Sequence, residues 1–336
     1  GLRVRIVSLA DRSGYILAPA GLTRENLYEA MEHKKAGGKL SELRHGIATK
    51  NPAQMVEAAL EYRLSRPILV DVSDSDVAHE AFLAALSRGC DVATANKKPL
   101  ADDLKVFQEL QSTMTEQGRI VRAEATVGAG LPVIDTLEML LATGDRIERA
   151  RGCLSGTLGF LMSSLEDGQR FSEAVRNAVS LGYTEPDPVA DLSGVDVARK
   201  ATILARLAGM PSANKPVELV GLVDESHSGS TLDELYRHLE TLDAEFEEKV
   251  RTAASDGKVL RFVAEVDNQK IVVGPVAVPK DSPLGGLRGS DNMIVFESER
   301  YNERPLVVTG PGAGIDVTAM GGLGDILRIA AERRQP

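Results

Sequence analysis

Short runs of β-branched and aliphatic residues alternate with longer stretches in which apolar positions recur every three or four residues, a pattern of βαβ units that build a parallel sheet. In the first third, Val4 to Leu9 predicts a strand, and Ala53 to Tyr62 a helix entered through Asn51-Pro52, with Pro52 suited to the first helical turn. Ile68 to Val72 predicts a further strand, and the Ser73-Asp74-Ser75-Asp76 run behind it predicts the cap of a helix reaching about Arg88. A strand over Asp91 to Thr94, a helix over Asp103 to Gln117 and a strand over Arg119 to Glu124 follow. The connections are short, so these elements are expected to lie side by side as an α/β domain.

From Gly128 to about Pro216 the pattern is mainly helical, broken by Gly128-Ala129-Gly130-Leu131-Pro132 and by Glu185-Pro186-Asp187-Pro188. The acidic stretch from Leu232 to Ala254 predicts a solvated surface helix. Between Val259 and Val308 strands are expected over Leu260 to Val266, Lys270 to Val278, Met293 to Ser298 and Leu306 to Thr309, so the second domain is predicted to be α+β. The glycine-rich Gly310 to Gly314, with a helix after it to Ala331, is expected to return to the first domain. No internal repeat is present.

The length of 336 residues fits about two domains of ~150 residues each. Apolar residues at 43% and charged residues at 26% are near globular averages, which excludes wholesale disorder. Basic residues number 39 against 49 acidic ones, a net charge of −10 whose field disfavours nucleic acid and anionic lipid as partners. Cys90 and Cys153 are too few for a disulfide framework and lie outside any metal-binding spacing, which fits a reducing, cytoplasmic setting. No apolar run approaches the ~20 residues of a membrane span, and the first residues lack a signal-peptide core.

Three constellations carry chemistry, each with a structural alternative. Thr94-Ala95-Asn96-Lys97-Lys98-Pro99 follows a predicted parallel strand, at the sheet edge where open α/β proteins bind ligands. Its lysines can hold a carboxylate or phosphate and move a proton, or simply form a basic turn. Glu124 with the glycine loop to Pro132 offers a carboxylate and inward carbonyls, a shell for a monovalent cation and a poor one for zinc; a hinge between domains is the alternative. In Gly182 to Lys200, Glu185 and Asp191 can bind a cationic amino group while Asp196 orients Lys200 as an acid/base four residues on. The structural alternative is an S-x-x-D cap by Ser193 and Asp196 with an ordinary i,i+4 ion pair.

Taken together, TANKKPLA, EATVGAGLPVIDTL, CLSGTLGFLMSSL, LGYTEPDPVADLSGVDVARKATIL, VLRFVAEV, LRGSDNMIVF and GPGAGIDVTAMGGLGDILRIA resemble the homoserine dehydrogenase family in order and spacing, from about Val4 to Ala331. The resemblance implies a doubly wound Rossmann-type nucleotide-binding domain, residues 1–125 and 310–336, and an α+β catalytic and dimerisation domain, residues 126–309. It implies interconversion of L-homoserine and L-aspartate 4-semialdehyde with NADP or NAD, on the route to threonine, isoleucine and methionine, by a cytoplasmic homodimer. Carried over by position, Lys200 matches the proton donor, Asp196 the aspartate that orients the reacting group, and Lys98 the lysine beside nicotinamide and substrate. Glu185 and Asp191 match substrate-binding acids, and Ser73 and Gly314 match cofactor contacts. Glu124 with the carbonyls of Val127, Ala129 and Leu131 matches a sodium site. The Ser155-Gly156-Thr157 turn can supply amides to the substrate carboxylate.

The family's first strand and G-x-G-x-x-G turn are absent from these residues. The expectation is therefore a truncated sheet with an empty slot, costing ~1 to 3 kcal/mol for each buried unpaired group, and weakened cofactor binding. Asp11 can accept ribose hydroxyls as in NAD enzymes and Arg12 can pair with a 2′-phosphate, so both cofactors stay open. No C-terminal regulatory domain, and hence no threonine feedback through one, is expected. The rival readings are a non-catalytic dimeric relative and an aspartate-semialdehyde dehydrogenase, which needs a nucleophilic cysteine.

Overall fold

Residues 3–332 are described by the computed structural model, and the chain divides into two units, one running to Ala123 and resuming at Gly322, the other spanning Glu124–Gly321. Gly1, Leu2 and residues 333–336, attached above to the nucleotide-binding domain, lie outside the described residues.

The first unit corrects the strand predicted over Val4 to Leu9. The regular strand is β1 (Ser8–Asp11), paired antiparallel with β2 (Gly14–Leu17), which in turn pairs antiparallel with a short β3 (Gly46–Ala48). The cause is the sequence just beyond Leu9. Asp11 accepts hydrogen bonds from the Ser13 amide at 2.8 Å and hydroxyl at 2.6 Å, closing a tight hairpin. Gly14 completes it at φ +148°, where a Cβ would lie 2.0 Å from the Ile47 carbonyl oxygen. Between β2 and β3 lies α1 (Arg24–Lys35), which apolar periodicity alone does not reveal. Its signal is a capping box in which Thr23 and Asn26 exchange side-chain-to-amide hydrogen bonds. Ile16, Ala30 and Leu40 form the small core beneath.

The rest of this unit follows the predicted alternation: α2 (Pro52–Leu60), β4 (Ile68–Asp71), α3 (Ala78–Ser87), β5 (Asp91–Thr94), α4 (Lys98–Ala101), α5 (Leu104–Gln117) and β6 (Val121–Arg122). Strands β4, β5 and β6 form a parallel sheet in that order, separate from the hairpin sheet. Phe82, Ala85 and Leu86 of α3, Val92 of β5 and Leu110 of α5 interlock as its core. Each of the larger side chains contributes roughly 1.5–3 kcal/mol by leaving water. The Ser73 to Asp76 run does not cap α3: the cap position is Val77, without a side-chain bond.

The second unit contains α6 (Val133–Ala142), β7 (Ile147–Cys153), α7 (Gly156–Glu166), α8 (Phe171–Ser180), α9 (Pro188–Leu192), α10 (Val195–Leu207), β8 (Glu218–Leu219), α11 (Leu232–Ser255), β9 (Lys258–Asp267), β10 (Ile271–Pro279), α12 (Pro283–Gly286), β11 (Asp291–Ser298) and β12 (Leu306–Pro311). Its six strands order as β12-β11-β7-β9-β10-β8, antiparallel except for β8 beside β10. Strand β7 lies inside a stretch predicted as helical. Arg149 and Arg151 mask its alternation, and both pair across strands with Glu297 at 2.6 and 2.7 Å. Helix α11 is solvated on one side only; Leu235, Leu239 and Phe246 are buried, and Phe246 stacks on Phe171 of α8 at 4.1 Å. The last helix, α13 (Ile315–Glu332), passes from the second unit to the first, so residues 310–321 pack with the second unit rather than with the nucleotide-binding one. Among the described residues no helix is long and apolar enough to cross a membrane.

Candidate active site

In the first unit the C-terminal ends of β4 and β5 carry the Lys98 turn. The Thr94 hydroxyl accepts from the Asn96 amide at 2.9 Å, and the Asn96 side chain accepts from the Lys98 amide at 3.1 Å. Asn96 also donates its amide to the Ser75 carbonyl at 3.0 Å. This buried asparagine laces the segment after β4 to the segment after β5, a role that needs tertiary contact and so leaves no local signal. Lys98 Nζ lies 2.9 Å from the Asp74 carbonyl, 3.1 Å from Asp74 Oδ1 and 2.7 Å from Asp76 Oδ1. These contacts hold Lys98 above the ordinary lysine range, the Asp76 hydrogen bond being the largest cause. Ser73 is exposed beside them, its amide bonded to Asp71 Oδ1 at 2.9 Å. The other Asp71 oxygen is buried and accepts no hydrogen bond among the described residues. A cation, exposed hydroxyls and an orphan acceptor at the C-terminal edge of a parallel sheet fit a dinucleotide.

Asp11 and Arg12 sit on the β1–β2 hairpin. The Asp11 carboxylate accepts from Ser13, from Lys34 Nζ at 2.6 Å and from the Leu40 amide at 3.2 Å. Burial opposes its charge, yet these donors outweigh burial and hold it well below the usual carboxylate range. Arg12 is exposed.

The second unit gathers the acidic group around Lys200. Helix α10 opens at Gly194, φ +75°, with no side-chain cap, so the S-x-x-D cap does not form. Lys200 Nζ lies 2.8 Å from Asp196 Oδ2 and donates to the Leu154 carbonyl at 2.7 Å, with its side chain 12% exposed. Asp191 of α9 accepts from the Glu185 amide at 2.8 Å and lies 3.3 Å from Thr157 Oγ1, which itself donates to the Tyr183 carbonyl at 2.6 Å. Burial pushes the Asp191 carboxyl up, and the charges of Glu185 and Asp196 push it further. Three carboxylates against one ammonium suit a cationic amino group. Thr157, at the start of α7, ties the acidic loop down; a threonine distant in sequence gives no warning of that. Asp187 caps α9 and is held from outside by Ser228 Oγ at 2.7 Å.

Glu124 is buried, and its two oxygens accept the Ile134 and Asp135 amides at 2.8 Å each, capping α6. The following loop turns through Gly128 at φ +78° and Ala129 at φ +56°. The Leu131 carbonyl accepts from Val133 at 2.8 Å, and a Cβ on Gly321 would lie 2.5 Å from the Ala129 carbonyl oxygen. A carboxylate and main-chain carbonyls in one loop are the oxygen donor types that a hard monovalent ion takes. Gly314, φ +118°, precedes α13. Cys90 and Cys153 are both buried, which pushes their thiols up to about 12 and removes the nucleophile an aspartate-semialdehyde dehydrogenase would need.

Residues 132–327 match the family model described as homoserine dehydrogenase, and residues 3–124 match that for the homoserine dehydrogenase NAD binding domain. A homoserine dehydrogenase of Paracoccidioides brasiliensis is 41% identical over 293 residues, 83% of this chain and 78% of the relative. One from Schizosaccharomyces pombe is 38% identical over 88% of this chain and 82% of its own length. Among solved structures, a hyperthermophilic archaeal homoserine dehydrogenase in complex with NADPH superimposes with a TM-score of 0.73 at 30% identity, covering 97% of this chain and 88% of that one.

Proposed function

The chain belongs to the homoserine dehydrogenase family, NAD(P)-dependent oxidoreductases that interconvert L-homoserine and L-aspartate 4-semialdehyde, and from that premise we propose that Lys200 carries the proton of the reaction. The observation that carries this reading is the Lys200 ammonium, shielded from water and fixed by Asp196 and the Leu154 carbonyl, with one N–H left over among the described residues. The bound dinucleotide supplies or accepts the hydride. As the semialdehyde is reduced, negative charge grows on its oxygen; Lys200 stabilises that charge and donates the proton, and Asp196 keeps the amine aimed. Glu185 and Asp191 bind the substrate ammonium, and the amides of Ser155, Gly156 and Thr157 take its carboxylate. Lys98 is the cation for the dinucleotide and substrate, with Ser73, Gly314, Asp11 and Arg12 as further cofactor contacts. In the oxidation direction Lys200 must act as the free amine. The non-catalytic alternative has no observation in its favour.

The raised Asp191 carboxyl gives an expected result. It is protonated at a higher pH than an ordinary aspartate, so the KM for homoserine should climb on mild acidification. Asp191→Asn should raise KM about 10- to 100-fold at neutral pH, the loss of one charge-assisted hydrogen bond, and flatten the acid limb. A KM that stays unchanged would remove Asp191 from the substrate site.

A sodium ion would be held by Glu124 and the carbonyls of Val127, Ala129 and Leu131, supplying a fixed positive charge under a buried carboxylate and stiffening the loop. Sodium chloride is then expected to raise the melting temperature above that in choline chloride, and Glu124→Gln to abolish the difference; equal melting in both salts counts against the site. We assign the protein to the cytoplasm as a homodimer assembled through the second unit, and a solution mass of one chain by light scattering would contradict the dimer.

A further inference from the structure

Lysine has three N–H donors, and all three of Lys98 are occupied. One acceptor is a main-chain carbonyl that cannot leave. The other two are carboxylates on side chains that are 90% and 84% exposed, while the lysine itself is 16% exposed. A partly buried cation is thus capped by two groups that rotate into water at little cost, because exposed ion pairs are weak. The segment that carries them is pinned by the Asn96 bond to Ser75, so the caps cannot drift away with their backbone.

We propose that Asp74 and Asp76 are affinity-determining residues that occupy Lys98 as internal competitors and must be displaced before it contacts the anionic dinucleotide. The inference rests on the assignment of Lys98 to the cofactor. Each ligand oxygen that reaches the ammonium replaces a carboxylate oxygen, and the Asp74 carbonyl keeps Lys98 in place during the exchange. Binding is weakened by the cost of that exchange and by the two negative charges left at the site entrance. The aspartates set how tightly the cofactor is held, and they prevent small anions from settling on the lysine in its absence.

Two measurements test this. The first is labelling of Lys98 by trinitrobenzenesulfonate, an anionic amine reagent, followed by peptide mass spectrometry with exposed Lys105 as internal reference. Asp74→Asn with Asp76→Asn should speed Lys98 labelling about three- to tenfold relative to Lys105, as expected from losing two weak ion pairs. An unchanged or slower rate overturns the proposal. The second is NADPH titration by fluorescence in a double-mutant cycle. Asp76→Asn should lower the Kd about threefold in the wild-type background and leave it unchanged beside Lys98→Gln. Equal gains in both backgrounds would be a general field effect and overturn the competition. Faster labelling together with a Kd indifferent to Lys98→Gln would instead overturn the assignment of Lys98 to the cofactor, leaving the cap itself intact.

Discussion

Lys200→Ala is expected to lower kcat on the order of 10²- to 10⁴-fold, the usual contribution of a positioned acid or base. The KM for homoserine should change little, because the carboxylates assigned to its ammonium, Glu185 and Asp191, are untouched, and Asp191 is held independently by the Glu185 amide. A fall in kcat and kcat/KM by the same factor is the mark of an interaction made only in the transition state. Lys200→Arg should be nearly as inactive in homoserine oxidation, since a guanidinium keeps the charge and the reach toward Asp196 but does not release a proton. Near-normal turnover by either variant would end the proposed mechanism. Asp196→Ala should cost less, because the Leu154 carbonyl still holds the amine.

The largest stability effect should come from a residue remote from this chemistry. Arg261 of β9 has a side chain only 2% exposed, and it donates to Glu166 at 2.8 Å and to the carbonyls of Leu260, Leu284 and Gly285 at 2.9, 3.3 and 2.8 Å. One guanidinium therefore ties the end of α7 and the whole of α12 to the sheet. Arg261→Ala leaves three carbonyls without this donor and Glu166 without its buried partner, and should destabilise the second unit by about 3–5 kcal/mol. Arg288 and Lys280 remain near Glu166 at 3.1 and 3.8 Å, so the carboxylate keeps some compensation. Arg261→Lys should recover only part of the loss, because one ammonium cannot serve four acceptors spread around a planar fork. Urea denaturation measures this directly, and a midpoint within error of wild type would refute the ranking.

Much of the fold was legible because its signals are local. The strand over Asp91–Thr94 is a short run centred on Val92 and Ala93, and the acidic helix carries its own capping box at Thr231 and Glu234. Elements whose character is set by partners far along the chain were not. Strand β7 reads as a charged segment until Glu297 and Glu265 of neighbouring strands meet Arg149 and Arg151. The hairpin at Asp11 replaces an extended run because Lys34 and Leu40, more than twenty residues on, stabilise the turn. In the candidate site, the four-residue spacing of Asp196 and Lys200 makes their pairing readable from sequence. Thr157 with Asp191, Asn96 with Ser75 and the two aspartates on Lys98 are contacts across tens of residues, and no local pattern reports them. The Ser73 to Asp76 run misled for the same reason: the carboxylates of Asp74 and Asp76 face Lys98, a partner from beyond the next strand.

Chemical rescue of the Lys200→Ala enzyme by primary amines tests the central assignment most directly, because a small amine can enter the space the side chain vacates. The rate of semialdehyde reduction should recover with added methylamine or ethylamine and follow the acidity of the ammonium ion across a series of amines of similar size, as Brønsted behaviour of a proton donor requires. A rate that ignores the acidity of the added amine, or a variant that needs no amine at all, would show that the proton comes from somewhere other than residue 200.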